Sequence, residues 1–252
     1  MNGEKVYKPY TDDVSTFRDG HDQIRDVKFH MLSDERRMLA LAWLADLSFL
    51  GAVNPTALVD GVRVRSGNIL IGDKNLLSEF YRESRFGSYM VGEIHVVDKG
   101  LIQNSRRDDF EDNDAKSDFY SSFIREIGIP YSKKIRELSE YRSRIKRNAH
   151  IDSLYSRAQR ISESGYVAEL QKQEIVTALQ RIGGTGQGLL GTKVESLIHN
   201  VLASKHIVDN GHSILTQEFS DTYKNIFEII YREAANKLEA EAIIAKILSE
   251  VK

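Results

Sequence analysis

The chain reads as an α/β module followed by an all-α region. Between residues 21 and 103 apolar residues alternate or run continuously, as strands require, whereas beyond residue 105 they recur every three or four positions, as on helices. Proline is scarce, at 3 in 252 residues, and Pro130 is the only one past residue 105, so little interrupts long helices there. The predicted division is 1–114 for a mixed-sheet α/β sandwich domain and 115–252 for a helical region. The 41% hydrophobic content is enough for packed cores in one or two domains.

In order along the chain, "VKFHM" alternates through Val27, Phe29 and Met31 and predicts a half-buried strand. "MLALAWLADL" is nearly continuous apolar, as in a central strand covered on both faces. Strands follow at "VRVR", "NILIG" and "MVGEIHVVD", punctuated by the turn signals "GAVNP" and "RSGN", with a short helix predicted at "DKNLLSEFY". Ser105, with Asp108 three residues on, has the form of a capping box and predicts a helix from Ser105, anchored to the sheet by Phe110. Helical stripes then run through Ile135, Leu138, Tyr141, Ile145 and Ala149, through Ile151, Leu154, Ala158 and Ile161, and through Phe219, Tyr223, Ile226, Ile230 and Ala234. They predict long antiparallel helices with coiled-coil-like seams, either as a dimerising arm or as a plain bundle.

Composition excludes several functions. With 35 Lys+Arg against 37 Asp+Glu, any basic surface is local. Cysteine is absent, which removes disulfides, thiolate metal sites and cysteine nucleophiles. The histidines at 21, 30, 95, 150, 199, 206 and 212 lack ligand spacing, so no metal site is expected. Without a leader-like segment or an apolar run of ~18 residues, a cytoplasmic location is expected and a membrane partner is not. The loop at 182–193 contains Gly186-x-Gly188-x-x-Gly191, but helix-like "IVTALQRI" precedes it where a dinucleotide fingerprint needs a strand, and no Walker Gly-Lys-Ser/Thr follows. It reads as an interhelical loop.

Two segments carry candidate chemistry. "KKIRELSEYRSRIKRNAH" could track phosphates through Lys133, Lys134, Arg144 and Arg147, although Glu137 and Glu140 interrupt the charge and favour a solvated helical face. In "NSRRDDFE", Arg106 and Arg107 fall in the first turn of the predicted helix, where the dipole disfavours cations. An anion at that position would reverse the balance, because backbone N–H groups and guanidinium forks would then act together on phosphate oxygens. The competing reading is that Asp108, Asp109, Glu111 and Asp112 neutralise the arginines as ordinary surface pairs.

The run "GVRVRSGNILIGD … FGSYMVGEIHVVDKGLIQNSRRDDFE", residues 61 to 111, resembles the middle domain of GHKL-fold ATPases related to HtpG and the ninety-kilodalton heat-shock chaperones. It is more similar still to bacterial Hsp-like ATPases, through the Arg-x-Arg, the "GEIH" strand and the Arg-Arg-Asp-x-Phe-Glu ending. The specific likeness spans residues 23 to 112. It implies a ribosomal-protein-like middle-domain fold and a role in ATP hydrolysis, with ATP and Mg held mainly by a domain that would precede residue 1 or by a split subunit. Arg107 then corresponds to the arginine that reaches the γ-phosphate, with Arg106 beside it. Asn104 and Asp108 fall at the turn-forming and capping positions. Glu111 stands where the chaperones have an assisting glutamine and is expected to orient Arg107. The implied partners are the N-terminal ATPase domain, a client protein and a second copy joined through the C-terminal helices. Two alternatives stand beside this reading: a nucleic-acid-associated module of a bacterial defence or restriction assembly, and a purely structural dimerising arm.

Overall fold

The first sheet element is a hairpin of β1 (Asp13–Thr16) and β2 (Gly20–Gln23). The main sheet is built from β3 (Val27–Ser33), β4 (Met38–Ala45), β5 (Gly61–Ser66), β6 (Ile69–Ile71) and β7 (Val91–Val96), in the order β3-β4-β7-β5-β6. β5 runs parallel to β7 and every other pairing is antiparallel, which makes the sheet mixed. This computed structural model describes residues 8, 10–17, 20–183, 189–210 and 217–250. The chain divides into two compact units, Met1–Arg144 and Ile145–Lys252.

One face of the sheet buries Leu32, Ala40, Ala42, Leu44, Val62, Val64, Ile71 and Ile94. Against it lies α1 (Asp114–Phe123), which continues through a π turn at Ile124–Gly128 into α2 (Ile129–Ser164). Phe119, Phe123, Ile127, Tyr131 and Ile135, four residues apart throughout, fill the interface and are all buried. This is why α1 and the start of α2 cluster with the sheet, and the unit boundary falls at 144 rather than at the 114 read from periodicity. Gly92 lets β7 approach β4. A Cβ there would overlap the Trp43 carbonyl oxygen, so Gly92→Ala is expected to cost about 2–3 kcal/mol. A thermal melt should show a midpoint lowered by about 5–10 °C.

Several expected elements differ. "MLALAWLADL" is not covered on both faces: Leu41 is 46% exposed. Residues 73–81 form turns and a 3-10 turn at Ser78–Phe80 instead of a helix, because the Asp73 carboxylate takes the Asn75 N–H at 2.7 Å and holds a local turn. No helix starts at Ser105. The helix begins at Asp114, and the Asn113 side chain caps it by accepting the Lys116 N–H at 2.9 Å. The stripe in α2 is buried at Ile135, whereas Tyr141 and Ile145 are 52% and 49% exposed, so among the described residues of this chain nothing packs on them as a seam.

In the second unit, Ala158 and Ile161 of α2 pack with Ile175 and Leu179 of α3 (Glu169–Gly183) and with Val194 and Val201 of α4 (Leu189–Ala203). A second cluster joins Val167, Phe227, Tyr231, Ala240 and Ile244, from α5 (Gln217–Glu233), α6 (Lys237–Glu250) and the α2–α3 turn. The buried positions of α5 are Phe227 and Tyr231, while Ile226 of the predicted stripe faces out; the side chain of Phe219 lies outside the described residues. Arg157 donates to Glu241 at 2.6 Å and to the Tyr231 hydroxyl at 3.1 Å, giving this core one neutralised charge. Residues 184–188, with Gly186 and Gly188, lie outside the described residues. No described helix is long and apolar enough to cross a membrane.

Candidate functional site

Residues 102–111 form a short ribbon closed by a turn. Gln103 and Phe110 bridge antiparallel, Asn104 N–H donates to the Asp109 carbonyl at 2.9 Å and Glu111 N–H to that of Ile102 at 2.8 Å. Within the turn, Arg107 N–H donates to the Asn104 carbonyl at 3.0 Å. The Asn104 amide also donates to the Asp108 carboxylate at 2.6 Å and accepts the Asp108 N–H at 3.2 Å. Ser-x-x-Asp was therefore the outer side of an asparagine-closed turn, and the premise that both arginines sit at a helix mouth is overturned.

The turn is braced from two sides. Gly72, just past β6, donates its N–H to the Arg107 carbonyl at 2.7 Å; a Cβ at Gly72 would lie 2.9 Å from the Asp108 carbonyl, so only glycine permits this approach. On the other side Asp109 accepts from the Tyr120 hydroxyl and, at 2.9 Å, from Lys116, both on α1. Burial alone would raise the Asp109 pKa, but these bonds and the Phe110 N–H lower it, so the brace stays ionised. Phe110 anchors the ribbon in the core, edge-on to Phe119 at 5.3 Å.

Arg106 pairs with Asp108 at 3.2 Å on the surface. Arg107 is exposed, and among the described residues its guanidinium has no carboxylate or hydrogen-bond partner. Its backbone is left-handed, with φ of 58°. Such a conformation costs a non-glycine residue roughly 1–2 kcal/mol and persists only where the surroundings impose it. Glu111 forms no ion pair with Arg107 among the described residues, so the expected orienting contact is absent; in a turn the two are no longer four apart on one helical face.

The face of the sheet opposite the helices carries a second cluster, which the sequence did not single out. Glu93 on β7 is 1% exposed and accepts from Lys8, from Arg65 on β5 at 2.8 Å and from the Tyr10 hydroxyl at 3.2 Å, with His95 also 3.2 Å away. Tyr10 stacks edge-on to Trp43 at 4.9 Å, so residues 8 and 10 cover the β4–β7 part of this face. Burial alone would raise the Glu93 pKa. The hydrogen bonds and charges of Lys8 and Arg65 outweigh it and hold the carboxyl at about 2, below its ordinary 4.5. Because the folded-state value is depressed, the stabilisation is complete above about pH 4.5 and is lost as pH falls towards 2. Urea unfolding at pH 6 and pH 3 should therefore show a larger loss for the natural protein than for Glu93→Gln.

Most of the basic stretch of α2 is committed to structure. Lys133 pairs with Glu137 at 3.7 Å, Lys134 with Asp46 at 2.8 Å, and Arg142 donates to the Ser48 and Phe49 carbonyls. Arg144 lies over the Tyr141 ring at 5.6 Å, and Arg147 is exposed. Among the described residues no group of acids and histidines could hold a metal ion.

Compared with protein-family models, with curated proteins and with solved structures, the chain has no match in any of the three.

Proposed function

We propose that this chain works as the phosphate-sensing part of an HtpG-like GHKL ATPase, presenting Arg107 to the γ-phosphate of ATP held with Mg on another domain or subunit. The observation that carries the reading is Arg107 itself: an exposed guanidinium without a counter-ion among the described residues, on a left-handed residue in a turn braced by Gly72 and Asp109. A fixed backbone under a free guanidinium suits a group whose partner arrives from outside. Phosphate oxygens are matched by the planar fork of arginine, and charge developing on a transferring phosphoryl group is stabilised without reorganisation. Arg106 is already paired with Asp108 on the surface, so the contact falls to Arg107. The chain offers no nucleotide pocket in this reading; its contribution is one donor and the positioning of that donor. The ribosomal-protein-like fold of the first unit belongs to the same proposal, supported by the mixed sheet with helices on one face.

The same arginine reports whether ATP is bound, so closure of the two parts would depend on nucleotide. The test is ATP turnover with the nucleotide-binding part present. The chain alone is expected to show none, and the assembled ATPase is expected to lose turnover on Arg107→Ala.

A further inference from the structure

β3 is an edge of the five-stranded sheet, and the ladder fixes which of its backbone groups face outward. Asp46 N–H donates to the Asp26 carbonyl at 2.8 Å, and on the other side of β4 Val97 N–H donates to that of Leu39 at 2.9 Å. Antiparallel pairs alternate between bonded and non-bonded. Counting along the register from either bond, Lys28, His30 and Leu32 exchange bonds with β4, while Val27, Phe29 and Met31 turn theirs to the free edge. The chain itself takes up the Val27 N–H at one end of that edge and both backbone groups of Ser33 at the other. Val27 N–H donates to the Asp26 carboxylate at 2.7 Å. Ser33 N–H donates to the Ser122 hydroxyl at 3.0 Å, and its carbonyl accepts from Arg125 at 2.9 Å. Between these closures the N–H and C=O groups of Phe29 and Met31 have no partner among the described residues.

The side chains of this window are apolar and bare: Phe29 is 80% and Met31 58% exposed. Edges of this kind are normally guarded by a charge or a proline. Here the lysine of β3, Lys28, is held by Asp46 at 3.3 Å and leaves the window unguarded.

We propose that β3 joins a second copy of this chain, pairing antiparallel with the second copy's β3 about a two-fold axis at His30. In that register Phe29 faces the second copy's Met31, and the two exchange N–H···O=C bonds in both directions. The bonded Val27 N–H faces the equally bonded Ser33 carbonyl, so no further bond is demanded between those two groups. Open groups meet open groups at Phe29 and Met31 and taken groups meet at the Val27 N–H, as an isologous contact requires, the exception being the Val27 carbonyl, which faces the bonded Ser33 N–H. On the open face each Phe29 ring meets a methionine sulfur, a favourable cross-strand pair. Charge also permits the contact: burial lowers the pKa of His30, which bonds the Tyr131 hydroxyl at 3.0 Å, so the axis is uncharged at neutral pH. Two such pairs fall short of the roughly 1,000 Å² of a stable interface, so the dimer is a weak one, populated at about 100 µM rather than at nanomolar concentration.

The contact is independent of the ATPase reading and of any helix-mediated association, and its register can be read directly. The chain has no cysteine, so an introduced thiol is the only one present. Bonded antiparallel partners lie about 5.5 Å apart at Cα, within disulfide range. Full-length Phe29→Cys and Met31→Cys proteins, mixed in equal amounts and mildly oxidised, are expected to give the mixed disulfide in clear excess over either symmetric one. Sedimentation of the natural protein should show mass rising with concentration. Met31→Pro, which removes an outward N–H without touching β4, should abolish the rise, while Leu41→Lys, one strand inward, should leave it. Absence of cross-linking, symmetric disulfides as abundant as the mixed one, or association untouched by Met31→Pro would overturn the proposal.

Discussion

Replacing Glu93 by glutamine is expected to destabilise the first unit by about 2–4 kcal/mol at pH 7. The carboxylate is buried and is the common acceptor for Lys8, Arg65 and Tyr10, with His95 alongside. Glutamine keeps the volume but removes the charge, leaving Arg65 against a neutral, desolvated neighbour. The figure is lower than for a fully enclosed ion pair because the Lys8 and Arg65 side chains keep 54% and 23% of their surface in solvent and can partly rehydrate. Chemical denaturation of Glu93→Gln measures the loss. The paired substitution Glu93→Leu with Arg65→Met provides the internal control, since an apolar replacement of both partners removes charge and counter-charge together. The double variant should be more stable than Glu93→Leu alone. If the two are equal, the cluster is not held by charge compensation.

The second large effect concerns Arg107. An arginine delivered from one domain to a transferring phosphoryl group on another contributes on the order of 10³-fold or more in turnover. On the proposed phosphate-sensing role, Arg107→Ala is expected to approach that loss in ATP turnover measured with the nucleotide-binding part present, while leaving the melting temperature within about 1–2 °C, because the side chain is exposed and makes no described contact within the chain. Asn104→Ala should act differently. It removes both side-chain bonds to Asp108 and loosens the turn, so turnover should fall by roughly 10-fold through mispositioning rather than through loss of the charge.

The mixed sheet and the helices after it were readable because period two and period three-to-four are properties of single segments. What failed was decided elsewhere in the chain or by competing local chemistry. The hairpin β1–β2 has little alternating apolar pattern in "DVST" and "GHDQ", and it closes through backbone pairing instead. Ser105-x-x-Asp108 matched a capping box, yet Asn104 took the Asp108 side chain for a turn, and Asn113 supplied the true cap. The segment "NSRRDDFE" was visible as a cationic motif. The bracing of its turn was not, because Gly72 and Tyr120, which supply it, lie outside the segment. Glu93 looked like one polar residue of an alternating strand, and its burial depends on Lys8, 85 positions away. Tyr141 and Ile145 carry the spacing of a seam but are exposed among the described residues of this chain, and periodicity does not report what covers a stripe.

The direct comparison is between Arg107→Ala and Arg106→Ala, each assayed for ATP turnover with the nucleotide-binding part present. Both arginines are exposed neighbours of equal charge, but Arg106 is tied to Asp108 and Arg107 is not. A loss of about 10³-fold confined to Arg107, with Arg106→Ala within about 10-fold of the natural protein, is the expected result. Equal small losses in both would mean that the turn only adds positive field, and normal turnover in Arg107→Ala would contradict the account at its centre.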